Sequence, residues 1–239
     1  MTTTLSFRGS LATSQPVPDR YLTWLTFENA GFIGGAVSAA SYSFGINNVV
    51  APFGTANTGT VTIPNPFVAV ATGNPLGLKN LLFNASTSTG LYERVRVWTS
   101  RIDIEFGYIS SFSTGTSTGA MVHVGAAPIV GTTTSYAAVT GLSNGPKSKA
   151  ISIISGTKPS MISMIYSIPA LLGINKAHFN GPLVGSDQSF TTQPSQYVAL
   201  QFGFATANGA NLGSDSFAFR IRMQMHCEFY NRVDTALLQ

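Results

Sequence analysis

The clearest hydrophobic pattern lies near the end of the chain. From Phe217 the odd positions read Phe217, Phe219, Ile221, Met223, Met225, Cys227 and Phe229. The even positions read Ala218, Arg220, Arg222, Gln224, His226, Glu228 and Tyr230. A period of two held this long predicts a strand that crosses a whole sheet, one face buried and the other polar. Similar alternation predicts strands at Tyr21–Glu28, Ala39–Asn47, Ala120–Ala126 and Tyr197–Thr206. Leu91–Ile109 is long and β-branched, but its phase slips between Trp98 and Arg101. Val95 and Val97 are odd, whereas Ile102, Ile104 and Phe106 are even. A bulge or bend there restores one buried face.

Ser160–Leu172 fits two periods. Met161, Met164, Ile165, Ile168 and Leu172 make a helical stripe; Ile162, Met164, Tyr166 and Ile168 make a strand face. Pro159 and Pro169 bound the segment, which favours a strand followed by a turn. A short helix is expected at Leu76–Asn84, behind Pro75. Gly, Ser, Thr and Pro punctuate the entire length, with no internal repeat. About eight strands and one or two short helices predict an all-β, eight-stranded antiparallel jelly roll or a related sandwich. Residues 1–20 are expected to form a short arm and 21–239 a single domain. The long loops are placed at Asn48–Gly77 and Gly125–Lys147.

Composition sharpens this picture. Hydrophobic residues make up 44% of the 239 positions, but charged residues only 9%, against roughly 25% in an average soluble domain. Such a surface must be covered by neutral polar groups or by neighbouring copies. The net charge of +4 leans towards an anionic partner. One cysteine, Cys227, excludes an intrachain disulfide. The N-terminal stretch carries no apolar leader pattern, and no run approaches the ~18 apolar residues of a membrane span.

Candidate chemistry is sparse. Gly115–Gly119 (GTSTG) matches the nucleophile-elbow spacing, but Ser/Thr-rich flanks mark it as a polar loop. His226 and Cys227 are adjacent, so alternation sends them to opposite faces and prevents a dyad. His123, His178 and His226 have no zinc spacing. Asp103 and Glu105 share a strand face; pairing of Asp103 with Arg101 is favoured over a Ca²⁺ site. Asn84–Ser86 is a glycosylation sequon without a secretory context. No cofactor, metal or catalytic role is expected.

The segment Gly90–Phe106 (GLYERVRVWTSRIDIEF) resembles the long central strand of capsid proteins from circular, replication-initiator-encoding single-stranded DNA viruses. Tyr92, Arg96, Val97, Ser100, Ile102 and Ile104 stand at the positions that carry the likeness. Downstream, Lys149–Ile154, Gly156–Met161, Leu171–Gly173, the loop at Pro194, Gln196–Phe204 and the ending Glu228–Arg232 follow a similar order. The resemblance implies self-assembly into a small shell of about 60 copies (T=1) enclosing a single-stranded genome, with no membrane partner and a host receptor that no motif identifies. It also implies that the terminal strand lies beside the Leu91 strand. Arg94, Arg96, Arg220 and Arg222 would then gather on one sheet face and contact phosphates without sequence preference. Pairing with Glu93, Glu228 or a neighbour's carbonyls is the alternative. Members of that family usually begin with an Arg-rich arm, whereas residues 1–20 hold only Arg8 and Arg20. A carbohydrate-binding sandwich using Trp24 or Trp98, or a trimeric fibre head, would suit the same composition.

Overall fold

The computed structural model describes residues 19–33, 37–49, 52–53, 92–109, 121–130, 139–154, 158–180, 187–188, 194–212 and 216–232. These contain eight strands: β1 (Tyr21–Ile33), β2 (Ala39–Gly45), β3 (Tyr92–Ile109), β4 (Val122–Val130), β5 (Lys149–Ile153), β6 (Ser160–Ser167), β7 (Val198–Thr206) and β8 (Ser216–Arg232). Three short helices accompany them: α1 (Val139–Asn144), α2 (Ile168–Leu172) and α3 (Lys176–Phe179). The strands form two four-stranded sheets, ordered β1-β8-β3-β6 and β2-β7-β4-β5. β1 pairs with β8, β2 with β7, β3 with β6 and β4 with β5, all antiparallel. The chain is thus one long hairpin rolled onto itself, with β8–β3 and β7–β4 pairings closing the roll. That is the jelly-roll order.

Side-chain alternation explains why the two sheets stack. Phe217, Phe219, Ile221, Met223, Met225, Cys227 and Phe229 are all buried, as the period of two requires. The register of β3 against β8 shifts between Val97 and Thr99. Trp98 is the extra residue, and the bulge keeps Val95 and Val97 on the same buried face as Ile102, Ile104 and Phe106. Aromatic contacts bridge the layers. Phe202 of β7 meets Phe219 of β8 at 5.2 Å and Phe106 of β3 at 6.2 Å. Phe204 stacks on Phe217 at 5.5 Å. Each such pair adds about 0.5–1.5 kcal/mol beyond area burial.

The ambiguous segment resolves into both of its readings. Ser160–Ser167 is strand β6, and Ile168–Leu172 is helix α2 where a turn was expected. Pro169 lies in the first turn of that helix, where its missing N–H costs nothing. The expected loop Gly125–Lys147 is also corrected: β4 runs on to Val130, and Val139–Asn144 is helical. Three described helices replace the one or two expected. The predicted helix at Leu76–Asn84, the GTSTG segment, the sequon and most of Asn48–Gly77 lie outside the described residues.

Helix α1 covers the outer face of the second sheet. Leu142 is fully buried there, above Gly125 of β4 and Gly203 of β7, which pair with each other. A Cβ on Gly125 would sit 2.9 Å from Ser143 Oγ and 3.0 Å from Leu142 Cβ. A Cβ on Gly203 would sit 3.0 Å from Leu142 Cδ1. The two glycines are therefore the seat of the helix. Gly125→Val is expected to lower the unfolding free energy by about 1–3 kcal/mol through overpacking, read as an earlier urea midpoint with an unchanged far-ultraviolet spectrum.

Candidate functional site

The outer face of the first sheet gathers Glu28, Arg94, Arg96, Arg101, Asp103, Glu105, Arg220, Arg222 and Glu228. β8 lies between β1 and β3, so its polar residues face partners on both sides. Arg222 is opposite Glu28 on one side and Asp103 on the other. Arg220 is opposite Glu105. Glu28 binds both arginines, at 2.9 Å to Arg220 Nη2 and 3.5 Å to Arg222 Nε. Arg101 pairs with Asp103 at 3.3 Å, as expected from sequence. Asp103 also accepts from the Ser163 hydroxyl on β6. This middle row is a ladder of alternating charge, in which opposite signs face one another across strands.

The structure does not bring the four predicted arginines to one place. Arg94 is opposite Tyr230 and Arg96 opposite Glu228, toward one end of β8, whereas Arg220 and Arg222 lie toward the other. Arg94, Arg220 and Arg222 are exposed. Arg96 is not: it is only 1% exposed. Parity placed Arg96 correctly off the core face, but other segments cover it. Its Nη1 donates to the Phe179 carbonyl at 2.6 Å, at the end of α3. Its Nε lies 3.6 Å from both Asp187 Oδ1 and Glu228 Oε2, close enough to ion-pair but too far to hydrogen bond. Its guanidinium carbon sits 4.2 Å from the Tyr230 ring centroid. Arg96 is therefore a structural cation, unavailable to a phosphate in this conformation.

Glu228 is the hub of that cluster. It accepts from Arg20 Nη1 at 2.9 Å and from Trp98 Nε1 at 2.8 Å, and it faces Arg96. Arg20 also donates to Asn180 at 2.8 Å, so it is clamped onto the sheet; Arg8 lies outside the described residues. Burial pushes the Asp187 carboxyl above the usual carboxylate range, against the opposing pull of Tyr230, Arg96 and Arg94. The adjacent Gln188 bridges to Val95 of β3 through both backbone groups. Its side chain accepts from Val49 N at 2.8 Å and donates to the Asn47 carbonyl. Asp187 and Gln188 thus tie the β2 exit to β3 beside Arg96.

Both tryptophans have partners. Trp98 packs edge-on against Phe179 at 4.9 Å. Trp24 stacks on His226 at 4.9 Å but stays 51% exposed. Cys227 points into the core, away from His226, and burial pushes its thiol up. His123 bonds to Ser152 at 2.7 Å. Among the described residues, no three His, Cys, Asp or Glu side chains are grouped as a metal site would need. No described helix is long and apolar enough to cross a membrane.

No protein-family model matches the sequence, and no curated protein does. Solved structures do. A structure of Desmodium yellow mottle tymovirus aligns over 98% of this chain and 93% of its own, at 10% identity and a TM-score of 0.41. The decameric BFDV capsid protein aligns over 89% of this chain and 99% of its own, at 10% identity and a TM-score of 0.41. The 60-mer form of the BFDV capsid protein aligns over 89% and 94%, at 9% identity and a TM-score of 0.34. The jelly-roll assignment stands on the strand order itself; these likenesses are distant ones.

A second feature was not visible in the sequence. On the outer face of the first sheet, the two edge strands carry large exposed apolar side chains. Leu22 and Trp24 of β1 are 56% and 51% exposed; Met161 and Ile165 of β6 are 60% and 69% exposed. Strand alternation showed which residues share a face. It could not show that β1 and β6 are the two edges.

Proposed function

We propose that this chain is a viral coat subunit, structural rather than enzymatic, that assembles with copies of itself into a closed icosahedral shell around a single-stranded genome. The observation that carries the reading is the pair of unlike apolar patches at opposite edges of one sheet. Leu22 and Trp24 lie on one edge, Met161 and Ile165 on the other. A chain with 22 charged residues among 239 has little else to keep such patches soluble. Because the patches are different surfaces, joining one to the other is a head-to-tail contact, which closes into rings and shells when the rotation permits. The smallest icosahedral arrangement, T=1 with about 60 copies, suits a chain of this size. Interfaces of this kind are charge-poor at their centres. Such a shell would reside in the virion, after assembly in the host cell.

Genome contact in this reading is with phosphate and independent of sequence. Arg94, Arg220 and Arg222 are candidate contacts on the exposed sheet face, with Arg8 and Arg20 ahead of β1. Arg96 is excluded by its burial. Size-exclusion chromatography with light scattering on the full chain tests the proposal. Sixty copies of a 25.2 kDa chain come to roughly 1.5 MDa. A stable monomer at high concentration contradicts the proposal.

A further inference from the structure

β5 and β6 are consecutive in the chain but belong to different sheets, each at an edge. Between these edges lies a groove of about 560 Å³ lined by Arg101, Lys147–Lys149 and Ser163–Tyr166, of which Ile165 also belongs to the β6 edge patch proposed above to meet the next copy. We propose that this groove is an anion site for the sugar–phosphate backbone of single-stranded nucleic acid, with Lys147, Lys149 and Arg101 supplying the charge. The inference rests on the coat-subunit reading and gives the packaged strand a place on the subunit.

The groove is built rather than incidental. Lys147 has φ of 59°, a left-handed conformation that costs a non-glycine residue about 1–2 kcal/mol. The Tyr166 hydroxyl donates to the Lys147 carbonyl at 2.9 Å and holds that turn against β6. Lys149 Nζ donates to the Ser163 carbonyl at 2.6 Å. The Ser163 hydroxyl continues to Asp103, which holds Arg101. Lys147 and Lys149, on the segment that enters β5, and Arg101 of β3 thereby line one opening.

Charge pairing points to the same place. Arg220 and Arg222 share Glu28, Arg20 and Arg96 share Glu228, Arg96 also faces Asp187, and Arg101 pairs with Asp103, so the unbalanced charge of the groove is that of its two lysines. Among the described residues, no carboxylate lies within ion-pair distance of Lys147 or Lys149. Lysines that line one groove without a counter-charge repel, unless an anion joins them. Lysine meets phosphate as a point charge and reads no sequence, which suits contact with a packaged strand. An arginine on β8 must first give up Glu28 to do the same.

The test is fluorescence anisotropy with a labelled oligothymidine, titrated with the full chain across a series of salt concentrations. The wild type is compared with Lys147→Gln/Lys149→Gln and with Lys147→Arg/Lys149→Arg. The Gln pair is expected to bind roughly ten-fold more weakly and to flatten the log–log salt slope by about 1.4, the loss of two phosphate contacts. The Arg pair should keep both affinity and slope. Both lysines are exposed, and a melting midpoint shared with the wild type checks that the fold is intact. Unchanged affinity and slope in the Gln pair overturn the site, as does a wild type that does not bind. Loss of binding to a sulfated polysaccharide with oligothymidine binding intact also overturns it, in favour of a glycan. The readings fail separately. Shells that form while the Gln pair binds normally sink the groove alone; lysine-dependent binding without shells supports the groove and sinks the shell.

Discussion

Replacing Arg96 with methionine is expected to destabilise the fold by about 3 kcal/mol or more, the usual cost of stranding a buried ion-pair partner. The substitution keeps the apolar stem and removes the cation. Glu228 retains Arg20 and Trp98, but Asp187 loses its ion-pair partner while its carboxyl stays largely buried. The Phe179 carbonyl loses a short hydrogen bond as well. At roughly 2–4 °C per kcal/mol for a domain of this size, the melting midpoint should fall by about 6–12 °C. Differential scanning fluorimetry at neutral pH measures this. A fall under about 2 °C would mean that the cluster is solvated rather than load-carrying. Replacing Arg94, which is exposed, should change the midpoint far less, and the contrast between the two arginines separates burial from charge.

The second large effect concerns assembly. Trp24→Asp combined with Ile165→Asp places a charge in each apolar edge patch. Burying one such side chain contributes about 1.5–3 kcal/mol, and 1.4 kcal/mol is a ten-fold change in association. Each copy-to-copy contact should therefore weaken by a factor on the order of 100 or more, and the loss recurs at every contact of the shell. The expected outcome is a folded single chain in place of large particles, measured by light scattering, with the far-ultraviolet spectrum retained. Both side chains are more than half exposed, so the substitutions should leave the core intact. Particles of wild-type size in the double variant would move the interface elsewhere.

These two expectations mark where the sequence was legible and where it was not. Alternation placed Phe217–Phe229 on the buried face, and the phase slip at Trp98 located the β3 bulge, because both are local consequences of the pleat. Local pattern also sent Cys227 and His226 to opposite faces. It failed for Arg96, whose covering groups, Phe179 and Asp187, lie more than 80 positions away in the chain. Parity tells which side a residue takes but not what packs over that side. Strand registry was equally hidden: Glu28 rather than Glu93 or Glu228 holds Arg220 and Arg222, because β1 is the neighbour of β8. Arg96, Arg220 and Arg222 are thus arranged as ion pairs rather than as a cluster of like charge. Helix α1 left one faint trace, the glycines at 125 and 203 inside strand patterns, which can mark a close approach.

The most direct test of the account is an electron cryomicroscopy reconstruction of the purified full chain. The expected result is a hollow icosahedral particle in which Leu22 and Trp24 of one copy pack against Met161 and Ile165 of the next. Isolated subunits, or a closed particle in which both edge patches face solvent, would contradict it.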